Sequence, residues 1–250
     1  MRTSNLSALI SDLKSLSSPA KIAVFKRFFK TGPGQYGEGD RFLGLTVPQI
    51  RSVVRKYWPT LALVDLDHLL QSPYHEHRTV ALASLNLLYR QADLKTKKEL
   101  YLFYLHHTSR INNWDLVDIS APNIVGAYLL EQQDRSILYK LAQSKDIWQK
   151  RISIISTLTF IKNDQFADTL AIAKILMGDK HDLIHKATGW MLREVGKRDL
   201  PVLLNFLDEF APRLPRTCLR YAIEKFPDSC RLHYLHLPIS SGTSPNSDRG

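Results

Sequence analysis

An indole and a carboxylate stand four residues apart at Trp114 and Asp118, within Asn112-Asn113-Trp114-Asp115-Leu116-Val117-Asp118. On a helix that spacing stacks the two side chains one turn apart on the same face. A fixed carboxylate beside an aromatic wall opposes positive charge, whether on a bound cation or on a cationic transition state. A structural reading competes. Pro122 reads as the start of the next helix, so Asp118 can cap that helix while Trp114 packs in the core. Spacing alone favours packing and capping.

Two further indoles are followed at three residues by a cation, Trp148 by Arg151 and Trp190 by Arg193. Such a pair can set an arginine on phosphate beside an aromatic surface. It can equally be a core tryptophan with a snorkelling arginine. His181 and His185 share a helix face, but HDLIH lacks the glutamate of a zincin helix and a third ligand, so no metal site is expected. Gly32-x-Gly34-x-x-Gly37 matches the dinucleotide fingerprint only as a string, because a helical segment, Val24–Phe29, precedes it where a strand is required. A loop whose amides could touch phosphate is the better reading. Neither Cys218 nor Cys230 stands in a nucleophile motif, and no GxSxG elbow occurs.

The elements that must position these residues read as helices almost throughout. Apolar stripes at helical spacing run through Leu6-Leu9-Ile10-Leu13-Leu16, Ala81-Leu82-Leu85-Leu88-Tyr89, Ile147-Trp148-Ile152-Ile155-Leu158-Ile161 and Leu183-Ala187-Trp190-Met191-Val195. Ser72-Pro73, Ala121-Pro122, Val47-Pro48 and Leu214-Pro215 read as helix starts, and Asp146 as the cap of the helix from Ile147. Helix pairs recur every 35–45 residues, and tryptophans fall at 114, 148 and 190, near the period of HEAT-type arrays. The expected fold is all-α, a superhelical array of HEAT-like helix pairs (an α-solenoid) with a concave basic face. A non-repetitive helical bundle fits the same periodicity. One repeat domain over 1–237 is expected, followed by a disordered tail over 238–250 that is rich in Ser, Gly and Pro.

Composition narrows the class of partner. With 44% hydrophobic residues among 250, the chain can bury a core, which excludes intrinsic disorder. No apolar run reaches the length of a membrane span. A formal net charge of +10 favours a polyanion, nucleic acid foremost, although it also serves solubility. Two cysteines and an N-terminal segment without an apolar signal core point to a reducing, cytoplasmic setting.

Several segments together resemble the AlkD branch of the DNA alkylation repair proteins. They are Tyr36-Gly37-Glu38-Gly39-Asp40-Arg41-Phe42-Leu43-Gly44 with Val47-Pro48-x-x-Arg51, His75-Glu76-x-Arg78, Trp114-Asp115-x-Val117-Asp118, Asp146-x-Trp148-x-x-Arg151 and Lys186-Ala187-x-Gly189-Trp190-x-Leu192-Arg193-Glu194. They occur in the family's order, and the resemblance spans residues 25 to 225. The resemblance implies a HEAT-like DNA N-glycosylase that excises positively charged alkylated purines, such as 3-methyladenine and 7-methylguanine, from duplex DNA. It implies Asp118 as the catalytic carboxylate, Trp114 and Trp190 as aromatic walls of the cleft, and Arg151 with Arg193 as contacts to the DNA backbone. Asp115 falls to a structural role. It further implies a cofactor-free, metal-free monomer that meets the backbone of the damaged strand without a deep base pocket, nucleoid-associated while acting on DNA. Asn113 departs from the family, which often has a second aromatic there, so looser local packing is expected. The alternative is a non-catalytic HEAT-like scaffold for bent or branched DNA, which the presence of Asp118 disfavours. A third is a protein-interaction solenoid with no salt-sensitive DNA affinity.

Overall fold

The computed structural model describes residues 5–238; all but the first residue of the tail expected to be disordered lies outside them. The chain divides into two compact units, 1–132 and 133–250. As the periodicity predicts, the described residues form an all-helical, solenoid-like repeat fold, with a single isolated bridge between Arg41 and Tyr74 in place of sheet.

The first unit contains α1 (Leu6–Ser15), α2 (Pro19–Phe28), α3 (Val47–Tyr57), α4 (Leu63–Gln71), α5 (His75–Gln91), α6 (Leu94–His106), α7 (Trp114–Ala121) and the short α8 (Ala127–Leu129). Helices α1, α3, α5 and α7 pack in succession, and α4 and α6 form a second row against α5. Apolar spacing explains which faces are hidden: Leu9 and Leu13 of α1, Val53 and Val54 of α3, and Leu82 and Leu85 of α5 are all buried. Thr46 precedes α3, its amide and hydroxyl both donating to the Gln49 side-chain oxygen at 2.9 and 2.7 Å, and Pro48 needs no amide partner so early in the helix. Helix α2 is the exception, since none of its residues is fully buried.

The second unit contains α9 (Ser136–Ala142), α10 (Ile147–Ser156), α11 (Leu158–Lys162), α12 (Ala167–Leu176), α13 (Asp182–Arg198), α14 (Leu200–Phe210), α15 (Arg216–Ala222) and α16 (Asp228–His236). Here α10, α13 and α15 pack in succession, with α12 and α14 against α13. Asp146 caps α10 as expected, accepting the Trp148 amide at 2.8 Å. Leu192, Leu203, Leu207 and Leu219 form the centre of one buried apolar cluster.

Three boundaries differ from the sequence expectation. Pro73 does not start α5; its carbonyl accepts the Arg41 amide at 3.0 Å, while the His75 amide donates to the Arg41 carbonyl at 2.8 Å. That long-range bridge holds Tyr74 extended, and the helix begins at His75. Pro122 does not open a separate helix either. The backbone runs on from α7 through a π turn over Pro122–Gly126 into α8, an accommodation of a residue that cannot donate the usual i→i−4 bond. The stripe from Ile147 to Ile161 is broken at Thr157, where the Ser156 and Thr157 hydroxyls donate back to the carbonyls of Ile152 and Ile154.

Candidate active site

Helix α7 is short, and its start is built by Asn113. This side chain is fully buried; its Oδ1 accepts the Trp114 amide at 2.8 Å and its Nδ2 lies 3.5 Å from Asp40 Oδ2. The looser packing expected from an asparagine here is therefore not found. A polar cap with two partners replaces aromatic contact.

Trp114 is half-buried at the end of an aromatic chain. Its ring stacks on Phe29 at 5.6 Å between centroids and meets the edge of Phe28 at 5.8 Å. Phe29 in turn stacks on Phe42 at 5.2 Å, and the His75 ring lies 4.8 Å from Phe29 and 5.0 Å from Phe42. The indole is thus fixed by α2, the loop before α3, and α5 together.

Behind the rings runs a buried polar relay. Arg78 donates to Asp40 Oδ1 at 2.6 Å, Asp40 Oδ2 lies 3.2 Å from His75 Nδ1, and His75 Nε2 lies 2.7 Å from Asp115 Oδ2. Burial pushes the His75 imidazole towards its neutral form and Arg78 adds to that. The carboxylates of Asp115 and Asp40 outweigh both and raise its pKa to about 9. Asp40 stays well below the usual carboxylate range despite burial, held by the His75 hydrogen bond and the Arg78 charge. Glu76, 1% exposed, accepts the backbone amides of Leu43, Gly44 and Leu45 at 2.9, 2.8 and 3.3 Å, which fixes the loop carrying Phe42.

A cavity of about 770 Å³ opens inside this unit, roofed by Phe25 and Phe28 of α2 and walled by α3, α5 and α7, from Trp114 and Asp115 to Ile119, with Asn123 just beyond. Trp114 and Asp115 reach its wall; Asp118 is not among the residues that line it. Asp118 sits half-buried one turn along α7, close enough to α6 that its charge adds to the rise that burial imposes on the Tyr104 hydroxyl. Sequence reasoning assigned no role to Phe28, Phe29, Phe42, Asp40, His75 or Arg78, although most lie in segments that carried the resemblance.

The remaining expected residues belong to the second unit. Trp190 is half-buried on α13, its Nε1 donating to Glu194 at 3.1 Å. The preceding Gly189 lets α13 touch α15 so closely that a Cβ there would lie 2.3 Å from the Cys218 carbonyl oxygen. Arg151 is 5% exposed and donates to the Leu183 carbonyl at 2.7 Å, tying α10 to the first turn of α13. Arg193 pairs with Glu224 and lies 3.7 Å from Glu194. Trp148 is core, at 7% exposure.

Other candidates acquire local roles. His181 accepts the Leu183 amide at the start of α13, and His185 lies 2.6 Å from the Asp179 carbonyl. No group of three or more His, Cys, Asp or Glu side chains suited to a metal ion occurs among the described residues. Most of the amides in the glycine loop that could touch phosphate are already engaged within the protein. Gly32 donates to Gln35 at 2.9 Å, Gly34 to Glu38 at 2.8 Å and Gly37 to the Lys30 carbonyl at 3.1 Å. No helix among the described residues is long and apolar enough to cross a membrane.

Comparison with known proteins agrees with this architecture. A solved structure described as a predicted DNA alkylation repair enzyme from Enterococcus faecalis superposes with a TM-score of 0.65 at 15% identity, covering 85% of this chain and 97% of the other. At that identity it supports the fold alone. A search of curated protein sequences returns no match. The family model for DNA alkylation repair enzymes matches residues 9–226, which include Asp118, Trp114, Trp190, Arg151 and Arg193, and the chain belongs to that family.

Proposed function

We propose that this protein is a DNA N-glycosylase that releases positively charged alkylated purines, of the 3-methyladenine and 7-methylguanine type, from duplex DNA. The observation that carries this reading is α7. One short helix in a DNA alkylation repair enzyme bears an indole anchored by an aromatic chain and, one turn on, a half-buried carboxylate.

The chemistry suits so sparse a site. Alkylation at N3 or N7 leaves the base cationic, so the glycosidic bond can break with its electron pair passing to the base, which departs neutral. Positive charge then develops on the deoxyribose. A fixed carboxylate and an aromatic face stabilise such an oxocarbenium ion. Water adds its oxygen to C1′ and loses a proton, leaving an abasic site. Glycoside hydrolases usually need a second carboxyl group to protonate the departing oxygen, and here nothing needs protonating.

In this reading Asp118 stabilises the oxocarbenium ion and orients the water. Trp114 and Trp190 supply aromatic faces, and the base remains in the duplex. Arg151 and Arg193 bind backbone phosphate; both are held by protein partners, so DNA must share or take over their donors. Asp115, bound to His75, is structural.

The test is release of free bases from duplex DNA treated with a methylating agent. The wild-type protein is expected to liberate 7-methylguanine. Asp118→Asn is expected to lower the rate by about 100-fold or more, the scale of removing one preorganised electrostatic group, with duplex affinity unchanged. Release by Asp118→Asn at nearly the wild-type rate rules the mechanism out. Binding to branched duplexes with no release from any substrate favours a scaffold.

A further inference from the structure

The cavity of the first unit has a side that the reaction above leaves unused. Arg51 and Arg55, one turn apart on α3, and Arg90, at the far end of α5, line it and are exposed. None of the three has a hydrogen-bond or ion-pair partner among the described residues. Two other arginines of the unit are engaged, Arg78 with Asp40 and the Ser72 carbonyl, and Arg110 with the carbonyls of Leu70, Gln71 and Ser72; Arg27 and Arg41 are exposed but do not line the cavity. Three unpaired guanidinium groups facing one cavity repel each other, and an anion brought among them relieves that repulsion.

The aliphatic residues between these cations narrow the choice of anion. Val47, Ile50 and Val54 line the same cavity from the face of α3 that carries Arg51 and Arg55. From Ile50 to Arg55, hydrocarbon and cation therefore alternate along the helix. A phosphodiester chain alternates in the complementary sense, with a charged phosphate followed by a weakly polar deoxyribose. A single small anion would occupy one arginine and leave the others unmatched. The spread also suits a chain. From Thr79 to Arg90, both lining the cavity, α5 advances eleven residues, about 16 Å at 1.5 Å per residue. At the opposite end stand Trp114 and Asp115, the first turn of the helix that carries Asp118.

We infer that Arg51, Arg55 and Arg90 hold the phosphodiester backbone of a DNA strand along α3 and α5 and lead it to α7. The inference rests on the proposed function only in taking DNA as the ligand. An acidic protein segment would satisfy the same arginines. The cation–hydrocarbon alternation and the family of DNA repair enzymes both favour a nucleic-acid backbone.

The experiment measures binding of an undamaged labelled duplex by fluorescence anisotropy across a salt series. Arg51→Gln, Arg55→Gln and Arg90→Gln are compared singly and together with Arg220→Gln, which removes an equal charge from an exposed position of α15. Each groove variant is expected to reduce the slope of log K against log salt by about 0.9, and the triple variant by about 2.7, with Arg220→Gln unchanged. Thermal midpoints and far-UV spectra confirm that every variant is folded. A triple variant with the wild-type slope overturns the inference, as does an equal loss in Arg220→Gln. A triple variant that keeps its duplex slope but loses affinity for poly-glutamate assigns the face to an acidic protein segment and also overturns it. Base release is scored separately. A wild-type protein that frees no base while the triple variant loses slope defeats the glycosylase reading and leaves this inference standing.

Discussion

His75 Nε2 lies 2.7 Å from a carboxylate oxygen of Asp115, joining the first residue of α5 to the first turn of α7. The same imidazole meets Asp40 through its other nitrogen and Phe29 and Phe42 through its faces. One ring therefore sets both the ion pair behind Trp114 and the stack that supports it.

His75 and His77 titrate in opposite directions. The pKa of His75 is raised to about 9, so its contribution to stability is complete below the ordinary histidine value near 6.5 and is lost as pH rises through about 9. Burial, with the charges of Lys14, His68 and Arg78, pushes His77 down to about 4; the unfolded chain gains this proton first, so stability falls as pH drops from about 6.5 towards 4. Chemical denaturation across pH should show a maximum near pH 6.5. His75→Asn should flatten the alkaline limb, and His77→Asn the acidic limb. The full His75 contribution is on the order of a few kcal/mol. A wild-type profile flat from pH 6.5 to 9 would contradict the His75 assignment.

Glu76→Ala should be among the most damaging single changes in the first unit. It strands three amides, those of Leu43, Gly44 and Leu45, in a buried setting. At roughly 1–3 kcal/mol per unsatisfied group, the loss should exceed about 3 kcal/mol in a denaturant titration. Glu76→Gln keeps an acceptor oxygen and should recover part of that loss.

Gly189→Ala tests how the second unit places Trp190. The added methyl would sit 2.3 Å from the Cys218 oxygen and 2.6 Å from Tyr221 Cβ, and neither the backbone nor a Cβ can swing aside. A destabilisation of roughly 1–3 kcal/mol is expected, the usual range for overpacking. Tryptophan fluorescence should change with it. If both stay at wild-type values, α13 and α15 are not in the contact described.

Trp114→Phe and Trp114→Ala separate packing from chemistry. Phenylalanine can keep the stack on Phe29, so stability should change little while single-turnover base release slows. Alanine should lose both, with a stability cost of about 3 kcal/mol. Equal release rates in all three proteins would remove Trp114 from the proposed site.

Helix type was legible in the sequence because it depends on near neighbours; Leu9 with Leu13 and Leu82 with Leu85 are stripes any amphipathic helix must show. Local helix starts were legible for the same reason, as at Val47-Pro48 and at the Asp146 cap. Where a distant partner competes, local rules fail: Ser72-Pro73 has the chemistry of a helix start, yet Arg41 draws that backbone into a bridge. The segments behind the resemblance were visible as strings, but not the reason they occur together. Asp40 answers His75 and Arg78 across 35 and 38 residues, and Glu76 answers Leu43, Gly44 and Leu45. Nothing in local spacing announces such pairings. The catalytic assignment of Asp118 likewise came from resemblance, since α7 offers two carboxylates and spacing does not choose between them.

Helix α2 roofs the cavity while leaving Val24 and Phe28 50% and 59% exposed and fully covering none of its own residues. A segment that hides so little hydrocarbon contributes little to the cooperative unit beneath it, so it can fray without the rest melting. Its amide protons should trade with solvent deuterium well ahead of those of α5. An arriving nucleic acid would then meet a hinged flap, and slower deuterium uptake across Pro19–Phe28 would record its arrival.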